Sequence, residues 1–270
     1  MAGVFALGSG MAKASAANPT ELTFTAADGQ TPLGIRLFRP QGTARATVVY
    51  AHGGGFSHGS RKDATAAKLA ERLAGDGVAV ASIDYRKATQ PDAFAAAQRA
   101  LIEHEQARTA RVGLRINPNY CGAAFYAALE DFGAALAFLR SKAKTLKLGK
   151  RIVALGASAG GIAAASLAYP PRGPWQELER PDAAMGISAA MVQPWRLAAD
   201  GPPLVMMHGC HDGVIAPHNI RVLAAKAEAK GAPVITHITE VRGHRPQVEA
   251  FLNGIDPDGR PYLDLLRALL

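Results

Sequence analysis

Cysteine is nearly absent. Cys121 and Cys210 are the only two in 270 residues, which excludes a fold stapled by several disulfides, although the pair leaves one bridge open. Basic runs are missing as well. Lys and Arg total 30 against 22 Asp and Glu, a formal net charge of +8, yet nowhere do five basic residues stand together, and no stripe interleaves them with aromatics. Charge scattered in this way gives nucleic acid no footprint, so no nucleic-acid partner is expected. The longest uncharged stretch, residues 152–171, nominally reaches membrane-spanning length, but it is built largely of Ala, Gly and Ser with GASAG in its middle. It reads as a buried strand followed by a buried helix, and no membrane span is expected. Residues 1–18 lack a basic n-region and a proper h-region, so they read as a tail or a degenerate export signal. Cytoplasmic residence is the expectation, with export left open. No internal repeat or low-complexity linker interrupts the rest. With 49% apolar residues the chain can bury a large core, and one domain is expected over residues 19–270.

What is present is an alternation of two periods. Residues 21–40 hold two alternating runs around Asp28 and Gly29, the pattern of a β-hairpin whose turn needs positive φ. Then come short, almost continuous apolar runs at 46–52, 78–85, 151–157, 183–189, 203–209 and 233–241, which predict strands buried on both faces and therefore parallel. Helical patterns separate them. Ser60 and Asp63 resemble a capping box opening a helix that closes near Gly75 or Gly77. Within 123–148, Phe125, Leu129, Phe132, Leu136 and Leu139 recur at steps of four and three, so one helical face carries all five. Further helices are predicted after Pro217, closing at Gly231, and over 261–270. Strand and helix in alternation imply an α/β fold, a mostly parallel sheet with an antiparallel N-terminal hairpin and helices on both faces.

Residues 90–122 break the alternation. Their first part, 92–111, could be helical, and VGLRINPNYCG (112–122) carries turn residues without a clear period. The insertion leaves the sheet at a strand's carboxyl end, where open α/β folds bind ligands, and is a candidate pocket wall.

The stretch AHGGGFSHG (51–59) admits two chemistries. Gly53, Gly55 and Gly59 follow a strand and precede a helix, and Asp84 ends the next strand, which imitates a dinucleotide site. The third glycine, however, falls one residue late, and this reading leaves Gly156 and Gly160 unexplained. The other chemistry is a hole for an oxyanion, formed by bare backbone N–H groups.

GASAG (156–160) favours the second. A strand that turns abruptly into a helix strains its corner residue, and the residues two positions either side must be small, as Gly156 and Gly160 are. The corner lifts Ser158 into the cleft, and the Ala159 N–H can meet a developing negative charge. A serine hydroxyl needs a histidine to accept its proton and an acid to fix the tautomer. Asp212 and His244 follow in that order, each just beyond a strand's carboxyl end. The other histidines have poorer claims: His218 opens a helix, His237 lies within a strand, His104 lies in the insertion and His208 precedes a strand-end glycine. His211 adjoins Asp212 and points elsewhere, while His52 and His58 belong to the glycine loop. The cluster of His208, Cys210, His211 and Asp212 raises a metal site, which alternating side-chain directions argue against. No metal or other cofactor is expected.

Taken together, His52, Gly53, Gly54 and Gly55, the DYR triplet 84–86, AALEDFGAALAFL (127–139), GASAGG (156–161), HGCHDGVI (208–215) and GH (243–244) resemble the α/β-hydrolase family. Within it, they are similar to the HGGG-type carboxylesterases that resemble hormone-sensitive lipase. The resemblance implies an α/β-hydrolase fold, Ser158 as nucleophile, His244 as base and Asp212 as acid. It implies an oxyanion hole from the N–H groups of Gly53, Gly54 and Ala159, with Gly55 contributing and His52 bracing the loop. Gly55, Phe56 and His58 are candidate substrate contacts. The expected partner is a small-molecule ester, short-chain or aryl. Amide-cleaving and polysaccharide-linked ester hydrolases on the same fold remain as alternatives. Relatives usually carry a helical cap built from an N-terminal extension and a late insertion; both are short here, so a cap that is reduced or supplied by 90–122 is expected.

Overall fold

The computed structural model describes residues 18–270, so the segment 1–18 lies, but for Asn18, outside the described residues. The hairpin forms as its pattern predicts. Strand β1 (Thr20–Thr25) pairs antiparallel with β2 (Pro32–Phe38), and Gly29 takes φ of 75° between them. Asp28 ties the turn: its carboxylate accepts from the Thr31 hydroxyl at 2.6 Å and from the N–H groups of Thr31 and Gln30. Those bonds, led by the hydroxyl, hold its carboxyl down at about 2.

Strand β2 joins β4 (Val78–Ile83) antiparallel, and from there every pairing is parallel: β3 (Ala46–Ala51), β5 (Arg151–Ala157), β6 (Ala183–Ile187), β7 (Leu204–His211) and β8 (Val234–Arg242). The order is β1-β2-β4-β3-β5-β6-β7-β8. Strands β3 to β6 are buried on both faces, as continuous apolar runs require. Strand β8 departs from that expectation: only Thr239 is buried along it, and Ile235 is 58% exposed. It stands at the sheet's edge, so half of its surroundings is missing.

Two apolar cores cover the sheet. Val49 and Ala51 of β3 face one, with helices α3 (Ala123–Leu146), α4 (Ala159–Ala168) and α5 (His218–Lys230). Val48 and Tyr50 face the other, with α1 (Ala64–Leu73), α6 (Pro246–Asn253) and α7 (Asp264–Arg267). The five-residue face of α3 is fully buried, each side chain contributing roughly 1.5–3 kcal/mol by leaving water. Two local expectations are corrected. Helix α1 starts at Ala64 with Asp63 itself as N-cap, accepting from the Thr65 N–H at 2.7 Å, because the nearer carboxylate outcompetes the Ser60 hydroxyl, which accepts from Lys62 instead. The last helix is the single turn α7, while α6 arises where none was predicted; its signal is Pro246 at the first turn followed by Val248, Phe251 and Leu252 on one side.

Adjacent strands β3 and β5 send their connections, α1 and α4, to opposite faces of the sheet. A crevice must open outside their carboxyl ends. Over it lies the insertion, in which α2 (Ala96–Arg111) is followed by the turn Pro118–Cys121. Its far end is tied down: Asn219 at the start of α5 accepts from the Arg115 N–H at 2.7 Å and donates to the Arg115 carbonyl, and Thr109 donates to Val192.

The apolar stretch 152–171 resolves into β5, its turn and α4. The segment Pro118–Leu146 is long and apolar enough to cross a membrane, but 67% of its most apolar window is buried inside the protein, as a core helix is. Cys121 and Cys210 are both free, so the open bridge does not form. Burial raises the Cys121 thiol to about 11.

Candidate active site

Ser158 occupies the corner between β5 and α4 with φ of 53° and ψ of −122°, a conformation that costs a non-glycine residue about 1–3 kcal/mol. The corner is bought by packing: a Cβ on Gly156 would overlap the backbone of Gly160, and one on Gly160 would overlap the Ala51 carbonyl. Strand β5, helix α4 and the end of β3 can approach this closely only with both glycines in place. The Ser158 N–H donates to Ile187 at 2.8 Å, which fixes the corner to β6.

Asp212 lies after β7 and His244 after β8, so the parallel sheet brings both to the edge where Ser158 stands. The His244 Nδ1 is 2.7 Å from Asp212 Oδ2, and its Nε2 is 2.9 Å from Ser158 Oγ. A carboxylate cannot donate, so Nδ1 carries the proton and Nε2 is the acceptor facing the serine hydroxyl. The N–H groups of Val214 and Ile215 donate to Asp212 Oδ1 at 2.8 and 3.0 Å. Burial raises the Asp212 carboxyl, but the bonds from His244, Ile215 and Val214 outweigh it and leave the group below its ordinary range. The His244 loop is clamped from two sides: Ser188 donates to the His244 carbonyl at 3.0 Å, and the Gln247 amide donates to Val241 and Gly243. Ser188 sits at the end of β6 with φ of 47°; sequence reasoning missed it, because a lone serine in ISAA carries no pattern.

The glycine loop backs directly onto this group. A Cβ on Gly53 would stand 3.2 Å from the Ala157 carbonyl oxygen and 3.4 Å from Ser158 Cβ. Gly54, at φ of 117°, accepts from the N–H groups of Ser57 and His58, folding the loop back on itself. Neither the Gly53 nor the Gly54 N–H donates a hydrogen bond among the described residues, and the Ala159 N–H is in the first turn of α4, where no intrahelical partner exists. His52 is fully buried, donates to the Gly53 carbonyl at 2.7 Å and stacks on Tyr85, whose hydroxyl donates to the His52 carbonyl. Burial pushes its imidazole toward the neutral form. Asp84, the acid that a dinucleotide site would use on a ribose, is taken by Arg61, whose N–H and guanidinium both donate to it.

A cavity of about 700 Å³ opens between Gly55 to Ser57 and the insertion, with Arg99, Glu103 and Gln106 of α2 and Asn117, Asn119 and Tyr120 on its far wall. Tyr120 closes on Gly55, where an added Cβ would meet its ring at 3.4 Å. None of Ser158, Asp212 or His244 lines this space, which adjoins them through the glycine loop. Of the three residues expected to touch substrate, Gly55 borders the cavity, and Phe56 borders it while its ring is buried against Tyr85 and Phe125. His58 is exposed, paired with the Ser57 hydroxyl and off the cavity wall. The residues raised as a metal cluster do not converge. His208 is buried, Cys210 Sγ lies 2.9 Å from His211 Nδ1, and Asp212 is engaged by His244; among the described residues no group of three or more His, Cys, Asp or Glu could hold a metal.

Solved structures share this architecture. The chain superposes on Thermogutta terrifontis esterase 2 phosphonylated by cyclosarin with a TM-score of 0.65 at 20% identity, over 93% of this chain and 91% of that one. The fold is that of the α/β-hydrolases. The native form of the same thermophilic planctomycete esterase aligns at 0.65 and 19% identity, covering 93% and 90%, and its butyrate-bound form at 0.65 and 18%, covering 93% and 91%. The BD-FAE family model matches residues 34–104 of this chain, from β2 through the glycine loop into α2. No curated protein matches it.

Proposed function

We propose that the protein is a serine carboxylic ester hydrolase acting on short-chain or aryl esters. The observation that carries this reading is the continuous line Ser158 Oγ, His244 Nε2, His244 Nδ1, Asp212 Oδ2, with steps of 2.9 and 2.7 Å. Ser158 attacks the ester carbonyl as His244 takes its proton, worth roughly 10²–10⁴-fold in rate. The N–H groups of Gly53, Gly54 and Ala159 receive the oxyanion, each contributing on the order of 3 kcal/mol. His244 then returns the proton to the leaving alcohol, and water, deprotonated by the same imidazole, releases the acid from the acyl-serine. Asp212 stays ionised and balances the imidazolium.

The short-acyl preference is supported by the similar esterase that binds butyrate, and by the insertion, which covers the crevice with one long helix and a turn. The amide, guanidinium and carboxylate groups on the cavity wall favour an ester partner that forms hydrogen bonds over a lipid tail.

A fluorophosphonate probe followed by peptide mapping tests the reading. Labelling is expected on Ser158 alone, and Ser158→Ala should lose both labelling and turnover of a nitrophenyl acetate or butyrate. Label on another residue, undiminished turnover by the Ser158→Ala protein, or a preference for long acyl chains would overturn it.

A further inference from the structure

A second imidazole stands beside the acid, near the same oxygen that His244 meets. His208, on β7, is fully buried, and its Nε2 lies 2.9 Å from the Ile215 carbonyl oxygen and 3.3 Å from Asp212 Oδ2. Both neighbours accept and neither can donate, so Nε2 carries the proton, hydrogen-bonded to the Ile215 carbonyl and lying beside Oδ2. Burial holds the ring neutral. The ionisable groups recorded around it are Asp212 and His244.

The geometry forms a closed circuit. The Ile215 N–H donates to Asp212 Oδ1, the Ile215 carbonyl accepts from His208, and His208 leans on Asp212 Oδ2. Two backbone donors hold one carboxylate oxygen, and His244 holds the other with the His208 N–H close beside it. Rotation about the Asp212 Cβ–Cγ bond would swing Oδ2 off His244 Nδ1, and both backbone donors act at Oδ1, so an N–H placed beside Oδ2 opposes that swing at the oxygen that matters. A neutral N–H at the other oxygen blocks that rotation without adding a positive charge that would compete with the imidazolium of His244. From this we infer that His208 is a positioning residue of the hydrolytic reaction, aiming the Asp212 carboxylate at His244 Nδ1 and holding the 212–215 turn closed.

The inference rests on the proposed ester hydrolysis, and the experiment separates the two. Three variants of the full chain are compared with the native protein on a nitrophenyl ester across pH, with circular dichroism as the check on folding. His208→Phe keeps the ring's bulk and removes the donor; kcat should fall about 10- to 100-fold, the scale of a misplaced catalytic group. KM should stay within about twofold, because no substrate contact changes. The acid limb of kcat/KM should move to lower pH, since an imidazolium with a poorly aimed partner is less stable. His208→Gln, whose amide reaches about as far as Nε2, should recover most of kcat and the native limb; His208→Asn, one carbon shorter, should not. If the Phe variant fails to fold, the Gln and Asn pair carries the same comparison. Native kcat and limb in the Phe or the Asn variant would overturn the inference, as would equal losses in Gln and Asn. Undiminished turnover by Ser158→Ala would instead overturn the reading beneath it.

Discussion

Replacing Asp212 by Asn should disable the site by shifting the proton of one imidazole to its other nitrogen, and the structure dictates which way. Asp212 Oδ1 accepts two N–H groups, from Val214 and Ile215, so the amide oxygen of Asn must take that place. The NH₂ group then stands where Oδ2 was, 2.7 Å from His244 Nδ1 and 3.3 Å from His208 Nε2. Facing a donor, Nδ1 must become the acceptor, and the ring's proton moves to Nε2. That nitrogen is 2.9 Å from Ser158 Oγ and can no longer receive the hydroxyl proton. Loss of a correctly tautomerised base costs up to ~10⁴-fold in kcat, or about 5 kcal/mol of transition-state stabilisation. The assay is kcat and KM on a nitrophenyl ester, with Tm measured beside it. A loss below tenfold, or one confined to KM, would refute both the tautomer argument and the role given to Asp212.

Two further perturbations test neighbouring parts. Gly54→Ala should lower turnover while leaving Tm within a few degrees: φ of 117° disfavours any side chain, and the new Cβ would overlap the His58 backbone, so the exposed loop moves and its N–H groups leave the oxyanion. Native turnover by this variant would remove Gly54 from the oxyanion hole. At the other end of the sheet, Asp28 has its carboxyl lowered from 3.8 to about 2, so its contribution is complete above 3.8 and is lost as pH falls through about 2. The Tm gap between the native protein and Asp28→Asn, measured from pH 6 downward, should therefore narrow over that window; a constant gap would mean that the turn is not held by the ionised form.

Much of the site was legible because its local demands are severe. A strand turning directly into a helix needs small residues at Gly156 and Gly160, and few other pairs of elements leave so sharp a mark. Strands β3 to β6, buried on both faces, could be read as continuous apolar runs for a similarly direct reason. Strand β8 was read as a similar run, yet Thr236, His237, Thr239, Glu240 and Arg242 interrupt it, the polar content that an edge strand tolerates. Ser188 left no trace, since it acts on His244 across 56 residues through a bond no local pattern encodes, and His208 was visible beside Asp212 without any sign that its ring would turn toward the acid. Tyr120 reads as one residue of an irregular stretch until the insertion folds back over Gly55.

By itself, the sequence determined which elements form and in what order Ser158, Asp212 and His244 occur, since backbone conformation and hydrophobic period act within a few residues. Only the tertiary structure decided that three strand ends, far apart in the chain, bring their side chains into a line with steps of 2.7 and 2.9 Å at one edge. It likewise decided what braces them and where the insertion docks. Those outcomes depend on sheet order and long-range hydrogen bonds, which are properties of the packed whole.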